Sequence, residues 1–191
     1  MSETQFNVAH IEEDCLIYGP GTRTVIWFQG CSLHCKGCWN TEMWDPSPKK
    51  LIERQELFDY LIGKGNPVTL LGGEPLDQSD NLLWLLGRLK NSGVKIMLYT
   101  GHEPEEIAAN SVWAEICGLA DILIPGRYRE EQRDITLRWR GSSNQPIISS
   151  ITDEIENRNE VEIHIDEDGK IVCMGYPTEE MEDILKLDED Y

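Results

Sequence analysis

The stretch FQGCSLHCKGCWN, residues 28–40, holds Cys31, Cys35 and Cys38 in a CxxxCxxC spacing. Soft thiolates this close together suit an iron–sulfur cluster or, less well, a zinc ion. A 4Fe–4S cube has four irons, and each cysteine thiolate binds one of them. The spacing therefore predicts a cluster with one iron that has no protein ligand and is open to a substrate.

Thiolates at these separations cannot all point inward from a regular helix or strand, so we expect the loop to wrap around the metal. Gly30 and Gly37 supply the backbone freedom that such a loop needs. Zinc remains an alternative and needs a fourth ligand, for which His34 and Cys15 are the nearest candidates. A disulfide framework fits poorly, because the amino terminus has no secretory signal and a group of three cysteines leaves one unpaired. The cysteines outside the loop, predicted to be buried thiols, are Cys15, Cys117 and Cys173.

Working outward from the loop, residues 22–28 form a β-branched and aromatic run that predicts a buried strand ending at the cysteines. Strands and helices then alternate, which indicates a parallel sheet with helices outside it. The chain is too short to close eight strands, so we predict an α/β fold with an open partial (β/α) barrel. The other expected strands are an edge strand at residues 6–9 and strands at 67–71, 94–99 and 121–124. The expected helices are one that begins at Ser47 and Pro48, one around residues 82–89 and one at 104–117.

The carboxyl-terminal part of the chain differs in composition. Residues 151–191 carry 15 Asp or Glu against 3 Lys or Arg, which accounts for −12 of the total charge of −18. Residues 161–165 and 170–173 flank a DEDG turn at 166–169, which predicts a β-hairpin. A short acidic helix is expected to begin after Thr178 as N-cap. We therefore divide the chain into a domain of residues 1–150 and an acidic extension of residues 151–191.

Charge and hydropathy limit the partners. A net charge of −18 argues against nucleic acid or an anionic membrane as the main partner. No apolar run is long enough to span a bilayer. Six cysteines without a signal sequence favour a reducing cytoplasm.

Several motifs, in their order along the chain, resemble the radical S-adenosylmethionine superfamily and, within it, the small activases of glycyl radical enzymes. They are GPGTRTVIWFQG directly before the first cysteine of the loop, WNTEMWDP after the last one and LLGGEP further on. LRWRGSSNQ at residues 137–145 is most similar to the members that activate anaerobic ribonucleoside-triphosphate reductases. The resemblance covers residues 7–148. One departure is that Gly37 precedes the last cysteine where the superfamily often has an aromatic residue, and Trp39 follows it.

The resemblance implies a 4Fe–4S cluster on Cys31, Cys35 and Cys38 and S-adenosyl-L-methionine bound to the remaining iron. It makes residues 1–150 the radical S-adenosylmethionine domain. It implies no catalytic acid or base. The residues expected to contact S-adenosylmethionine are Gly72, Gly73 and Glu74 at the methionine amino group, Trp39 near the adenine, Thr100 beside the ribose, and Asn144.

The function that the resemblance implies is reductive cleavage of S-adenosylmethionine to a 5′-deoxyadenosyl radical, which takes an α-hydrogen from a glycine of a partner. The expected partners are a glycyl radical enzyme subunit, most closely an anaerobic ribonucleotide reductase, and a reductant of the flavodoxin or ferredoxin type. Two alternatives remain. One is a radical enzyme that modifies a peptide or small molecule, and the other is a non-enzymatic iron–sulfur or zinc module.

Overall fold

The computed structural model describes residues 4–150, 157–158, 160–165 and 171–185. The strands are β1 (Gln5–Cys15), β2 (Arg23–Phe28), β3 (Lys50–Glu53), β4 (Val68–Gly72), β5 (Ile96–Thr100), β6 (Ile122–Pro125), β7 (Ile148–Ser149), β8 (Val161–Ile165) and β9 (Ile171–Gly175). The α-helices are α1 (Arg54–Lys64), α2 (Ser79–Asn91), α3 (Pro104–Ala109), α4 (Ser111–Leu119) and α5 (Glu179–Leu185). None of the helices in these ranges is long and apolar enough to cross a membrane.

The main sheet combines a parallel centre with antiparallel edges. Over the described ranges its strand order is β3-β1-β2-β4-β5-β6-β7, and β2, β4, β5 and β6 run parallel. β1 and β3 add antiparallel strands on one side, and β7 adds one on the other. The predicted mixed α/β fold with a mainly parallel, open sheet is confirmed, whereas its curvature as a partial barrel stays a prediction. The expected edge position of residues 6–9 is wrong, because β1 lies between β3 and β2.

Side chains alternate between the two faces of the central strands, and the four helices α1 to α4 cover only one of them. The helix-covered face holds the larger core, to which the central strands contribute Ile26, Phe28, Leu70, Ile96, Leu98 and Leu123. The opposite, helix-free face carries two smaller apolar clusters, to which the same strands contribute Val25, Trp27, Leu71, Met97, Tyr99, Ile122 and Ile124. Because helices leave this second face open, loops and the carboxyl-terminal hairpin cover it.

The helix predicted to begin at Ser47 and Pro48 is wrong. Residues 50–53 form β3, which pairs with the start of β1, and α1 begins only at Arg54. The side chain of Asn7 on β1 explains the difference. Its amide donates to the carbonyls of Pro46 and Ser47 at 3.2 and 3.0 Å, and its oxygen accepts from the Lys49 N–H at 2.9 Å. These hydrogen bonds from β1 engage the carbonyl and N–H groups of residues 46–49, so that these residues do not form the start of a helix.

The single helix predicted over residues 104–117 is instead two helices, α3 and α4. They are separated at Asn110, whose backbone is extended with φ −114° and ψ 110°. The Asn110 side chain accepts hydrogen bonds from the N–H groups of Val112 and Trp113 at 3.1 and 3.2 Å. Asn110 therefore begins the second helix as its N-cap.

The predicted carboxyl-terminal hairpin is present as the antiparallel pair β8 and β9. Its predicted turn at residues 166–169 lies outside the described residues. Met174 on β9 is buried in the apolar cluster of the helix-free face. Glu162 on β8 accepts hydrogen bonds from the Cys15 thiol and the Leu16 N–H, both at 3.0 Å. The hairpin therefore packs on the helix-free face, and α5 follows it with Thr178 accepting from the Met181 N–H.

Candidate metal centre and cofactor cleft

A cleft begins at the carboxyl ends of the parallel strands and continues along the helix-free face. Its volume is about 1160 Å³ when the open space at its mouth is included. The predicted site residues that line it are Cys31, Cys35, Cys38, Trp39, Gly72, Gly73, Glu74 and Thr100.

The cysteine loop directly follows β2 and is fixed by hydrogen bonds to neighbouring segments. The Cys31 N–H donates to the Trp44 carbonyl at 3.2 Å, and the Ser32 N–H and hydroxyl donate to Asp77 at 2.7 and 2.8 Å. Gly30 and Gly37 both have positive φ, 100° and 72°, so the prediction that they supply the loop's conformational freedom is confirmed. These hydrogen bonds therefore fix the conformation of the cysteine loop at the end of β2.

Backbone N–H groups lie near all three loop sulfurs. The Asn40 N–H donates to Cys38 at 3.4 Å, the N–H groups of Leu33 and His34 act on Cys31, and that of Tyr128 acts on Cys35. Burial raises the pKa of Cys31 and Cys35, and these N–H groups oppose that rise because they stabilise the thiolate. Thiolate is the ligand form of cysteine, and hydrogen bonds to sulfur are a general feature of iron–sulfur sites. The donor set therefore fits a 4Fe–4S cluster.

The groups considered as a fourth zinc ligand have other contacts. The Cys15 thiol donates to Glu162, and burial raises its pKa to about 12. The His34 ring packs against Trp44 with 4.9 Å between ring centroids. Across the described part of the chain, no three His, Cys, Asp or Glu side chains meet as ligands of a single ion. Cysteines of a cluster bind separate irons and need no common point, and all six cysteines are free thiols.

Glu74 is a buried carboxylate, 1% exposed, at the turn after β4. Its Oε1 accepts from the Leu76 N–H at 2.9 Å and the Thr100 hydroxyl at 2.8 Å, and its Oε2 accepts from the Gly101 N–H at 2.8 Å. Burial raises the pKa of Glu74 to about 7, and the three hydrogen bonds oppose that rise. A carboxylate offers about four lone-pair sites. Oε2 therefore keeps capacity for one more donor from the cleft.

The GGEP turn is pressed against the cysteine loop. A Cβ atom on Gly73 would lie 2.1 Å from the carbonyl oxygen of Gly30, which no side chain can tolerate. The Glu74 N–H donates to the same carbonyl at 2.8 Å. The two motifs are therefore one structural unit, and the close approach of the Gly30 backbone requires glycine at position 73.

The remaining predicted cofactor residues differ in position. Trp39 is 41% exposed at the cleft, beside the Tyr176 ring at 5.5 Å and under the Arg133 guanidinium at 4.9 Å. Thr100 is buried and turns its hydroxyl to Glu74. Asn144 is not a lining residue, and its amide donates to the Arg127 carbonyl at 2.8 Å. Cofactor contacts for all three stay predictions.

The cleft also has lining residues that are not among the predicted metal ligands and cofactor contacts. Tyr18, Tyr99 and Trp139 line its wall on the helix-free face, and Tyr176 and Glu160 add residues from the carboxyl-terminal extension. The alternation of β5 was a signal for Tyr99, since it must face away from the helices. No pattern in the sequence indicated that residues 18, 139 and 176 line the same cleft.

Comparison with known proteins agrees with this geometry. The family described as "4Fe-4S single cluster domain" matches residues 17–148. The structure has a mainly parallel α/β sheet with a three-cysteine loop at a strand end, and this loop is joined to a GGEP turn. Together with the family match, these features define a cluster-binding protein of the radical S-adenosylmethionine class. Its cofactors are a 4Fe–4S cluster and S-adenosyl-L-methionine.

The anaerobic ribonucleoside-triphosphate reductase-activating protein of Escherichia coli (strain K12) is 31% identical over 143 residues, which cover 69% of this chain and 91% of that protein. The protein of the same name from Enterobacteria phage T4 is 31% identical over 144 residues, covering 70% and 88%. The chain belongs to the family of anaerobic ribonucleoside-triphosphate reductase-activating proteins. Among solved structures, QueE from Escherichia coli is similar with a TM-score of 0.43 and 20% identity, covering 51% of this chain and 53% of that one.

Proposed function

We propose that this chain activates an anaerobic ribonucleotide reductase by generating a glycyl radical in it. When bound, the reduced cluster supplies one electron that splits S-adenosylmethionine at its S–C5′ bond into methionine and a 5′-deoxyadenosyl radical, which takes the α-hydrogen of a glycine to give 5′-deoxyadenosine and the glycyl radical. The observation that carries this proposal is the union of the three-cysteine loop and the GGEP turn in one cleft. The electron comes from a flavodoxin or ferredoxin type of reductant.

The chain's own residues bind and orient. Cys31, Cys35 and Cys38 each hold one iron through a thiolate that backbone N–H groups stabilise. Gly72, Gly73 and Glu74 hold the methionine amino group, since the free lone pair of Glu74 Oε2 is an acceptor for an ammonium. The further cofactor contacts that we propose are Trp39 at the adenine, Thr100 at the ribose, and Asn144.

Exclusion of water is the second role of the protein. The helix-free face lines the cleft with apolar and aromatic side chains, and the hairpin end at Gly175 and Tyr176 adds a wall. We propose that the sheet curves around the cleft as an open partial barrel and that the glycine segment of the reductase enters through the open side. Residues 1–150 then form the radical domain, and residues 151–191 form an extension that covers the cleft and docks the partner.

No side-chain acid or base is needed for this reaction, since the step at glycine transfers a hydrogen atom. Glu74, the buried carboxylate of the cleft, is already hydrogen-bonded to three protein donors. We therefore assign it to positioning and binding, and no residue to proton transfer.

Single replacement of the loop cysteines tests the proposal. After anaerobic reconstitution and reduction, wild type should release methionine and 5′-deoxyadenosine from S-adenosylmethionine and produce a glycyl radical signal in the reductase. Cys31→Ala, Cys35→Ala and Cys38→Ala should each lose both. Cys117→Ala, a buried thiol away from the cleft, is the matched control and should keep both. Full cleavage in a loop variant that retains its cluster would contradict the assignment.

A further inference from the structure

The helix-free wall of the cleft contains two polar groups that are buried without a hydrogen-bond partner among the described residues. They are the indole N–H of Trp139 and the hydroxyl of Tyr99. Both residues line the cleft. Buried polar groups in native proteins are almost always hydrogen-bonded, so two unpartnered donors on residues that line a cleft indicate contacts with a ligand.

The backbone of Trp139 is unusual. Its φ is 61°, in the left-handed region that bulky residues rarely adopt. Such strain persists only where the surroundings fix it, and it is concentrated at functional sites. The Arg138 guanidinium lies 4.7 Å over the Trp139 ring, and Glu160 holds Arg138 through a 3.0 Å hydrogen bond. The Arg138–Glu160 pair therefore covers one face of this indole ring.

The two groups share an apolar wall on the side of the sheet. Tyr99 and Trp139 pack against the cluster of Met97, Ile122 and Ile124 on the helix-free face. Tyr99 is the penultimate residue of β5 and lies on its helix-free face, whereas the next residue, Thr100, turns its hydroxyl to Glu74. Burial raises the pKa of Tyr99 well above its ordinary value, so its hydroxyl keeps its proton and is available as a donor.

The chemistry of these donors limits their ligand. An indole N–H donates and never accepts, so the ligand must present acceptor oxygens or nitrogens. Both donors are neutral, so they can pair with the neutral carbonyl oxygen of a peptide. A glycine has no side chain to recognise, so an enzyme that acts on one must bind the main chain around it. Peptide carbonyl oxygens meet all of these conditions.

We infer that Trp139 Nε1 and Tyr99 Oη donate hydrogen bonds to main-chain carbonyl oxygens of the glycine-bearing segment of the partner enzyme. The inference rests on the proposed function and adds the residues that position its peptide substrate. Trp139 and Tyr99 are then substrate-binding residues, distinct from those that hold the cofactor. The apolar wall strengthens both hydrogen bonds because it excludes competing water.

Binding measurements on cluster-loaded protein with S-adenosylmethionine present provide the test. The probe is a synthetic peptide that copies the glycine-bearing segment of the anaerobic reductase from the same organism. Trp139→Phe and Tyr99→Phe each remove one donor and keep the ring. Trp113→Phe is the matched control, because its indole N–H already donates to Ser79 at 3.0 Å and it does not line the cleft.

We expect Trp139→Phe and Tyr99→Phe each to weaken peptide binding about fivefold, the usual effect of one neutral hydrogen bond. Cluster content and affinity for S-adenosylmethionine should stay as in wild type, and Trp113→Phe should leave peptide binding unchanged. An ester in place of one peptide bond beside the glycine makes a weaker carbonyl acceptor. At the carbonyl that Trp139 contacts, the ester should weaken binding to wild type more than binding to Trp139→Phe.

Unchanged peptide binding in both variants would overturn the inference, and so would a loss of affinity for S-adenosylmethionine instead of peptide. The glycyl radical signal of the wild-type pair is measured first. If wild type makes no radical, the proposed function fails and the inference fails with it. If wild type makes the radical and both variants bind peptide normally, the inference alone fails.

Discussion

The hydroxyl of Thr100 donates a hydrogen bond to Glu74 Oε1 over 2.8 Å, joining the ends of β5 and β4. The same carboxylate accepts from the Gly101 N–H, so one side chain fixes two neighbouring strand ends. The cysteine loop is hydrogen-bonded to this unit through the Glu74 N–H and the Gly30 carbonyl. One hydrogen-bond network therefore joins the cysteine loop to the ends of β4 and β5.

Glu74→Gln should weaken binding of S-adenosylmethionine about tenfold, because a charge-assisted hydrogen bond becomes a neutral one at a cost of about 1–2 kcal/mol. The amide also offers only one acceptor oxygen in place of two. Iron content should stay normal, since Glu74 does not ligate the cluster. Titration of the reconstituted protein with S-adenosylmethionine measures the effect.

Glu105→Gln is the matched control, since it makes the same chemical change at an exposed position of α3. It should leave the affinity as in wild type. Equal affinities for all three proteins would assign Glu74 to the turn structure alone.

Gly141→Ala should destabilise the fold. A Cβ atom there would lie 2.7 Å from the Tyr176 hydroxyl and 3.1 Å from the Tyr128 ring. Overpacking of this kind costs about 1–3 kcal/mol, measured as the free energy of unfolding of the metal-free protein in urea. Gly87→Ala, in open space within α2, should instead stabilise by about 0.5–1 kcal/mol. Equal effects of the two substitutions would show that Tyr176 does not pack against this loop.

The attachment of the hairpin to β1 should depend on pH. His164 on β8 hydrogen-bonds to Glu162 at 2.9 Å and lies 3.3 Å from Glu12 on β1, to which His10 also bonds. The hydrogen bond to Glu162 and the nearby Glu12 raise the pKa of His164 above its ordinary value of 6.5. The stabilisation is therefore complete below pH 6.5 and is lost as pH rises through the folded-state pKa.

Unfolding of the metal-free protein in urea at pH 6 and at pH 8 checks this pH dependence. The wild type should lose more stability on going to pH 8 than His164→Gln does, because the amide does not titrate. The difference should be small, since His164 is partly exposed. The same pH dependence in both proteins would show that His164 does not contribute to it.

We expect the acidic tail, residues 178–191, to contribute to binding of the reductase. Deleting residues 178–191 leaves the cleft wall at Gly175 and Tyr176 in place, so cleavage of S-adenosylmethionine should continue. Binding to the reductase should weaken, and the full-length interaction should fade as salt rises above ~0.15 M, where the screening length is ~8 Å. The same tail with its seven carboxylates converted to amides should behave like the deletion. Salt-independent association, or loss of cleavage, would contradict a docking role.

The sequence was informative where one local pattern determines the structure. The β-branched run before the cysteines predicted β2, and the leucines of α2 follow a helical period that packing preserves. The prediction was wrong where a side chain from a distant part of the chain determines the local structure. Asn7 supplies hydrogen bonds to residues 46–49 and so replaces a helix start by the approach to β3.

Similar limits apply to the site. The cysteine spacing and the GGEP turn each indicated their chemistry, and the structure brings them together. The buried hydrogen bonds of Glu74 and the packing of Tyr176 against Trp39 depend on residues far apart in the chain. No local pattern encodes such contacts, because they arise from how the sheet and the hairpin are stacked.

The fate of the glycine α-hydrogen is the most direct test of the proposed radical transfer to the reductase. The reductase is prepared with α-deuterated glycine and mixed anaerobically with reduced, cluster-loaded protein and S-adenosylmethionine. We expect a glycyl radical signal in the reductase and deuterium in the 5′-deoxyadenosine that is released. Formation of unlabelled 5′-deoxyadenosine with no glycyl radical would contradict it.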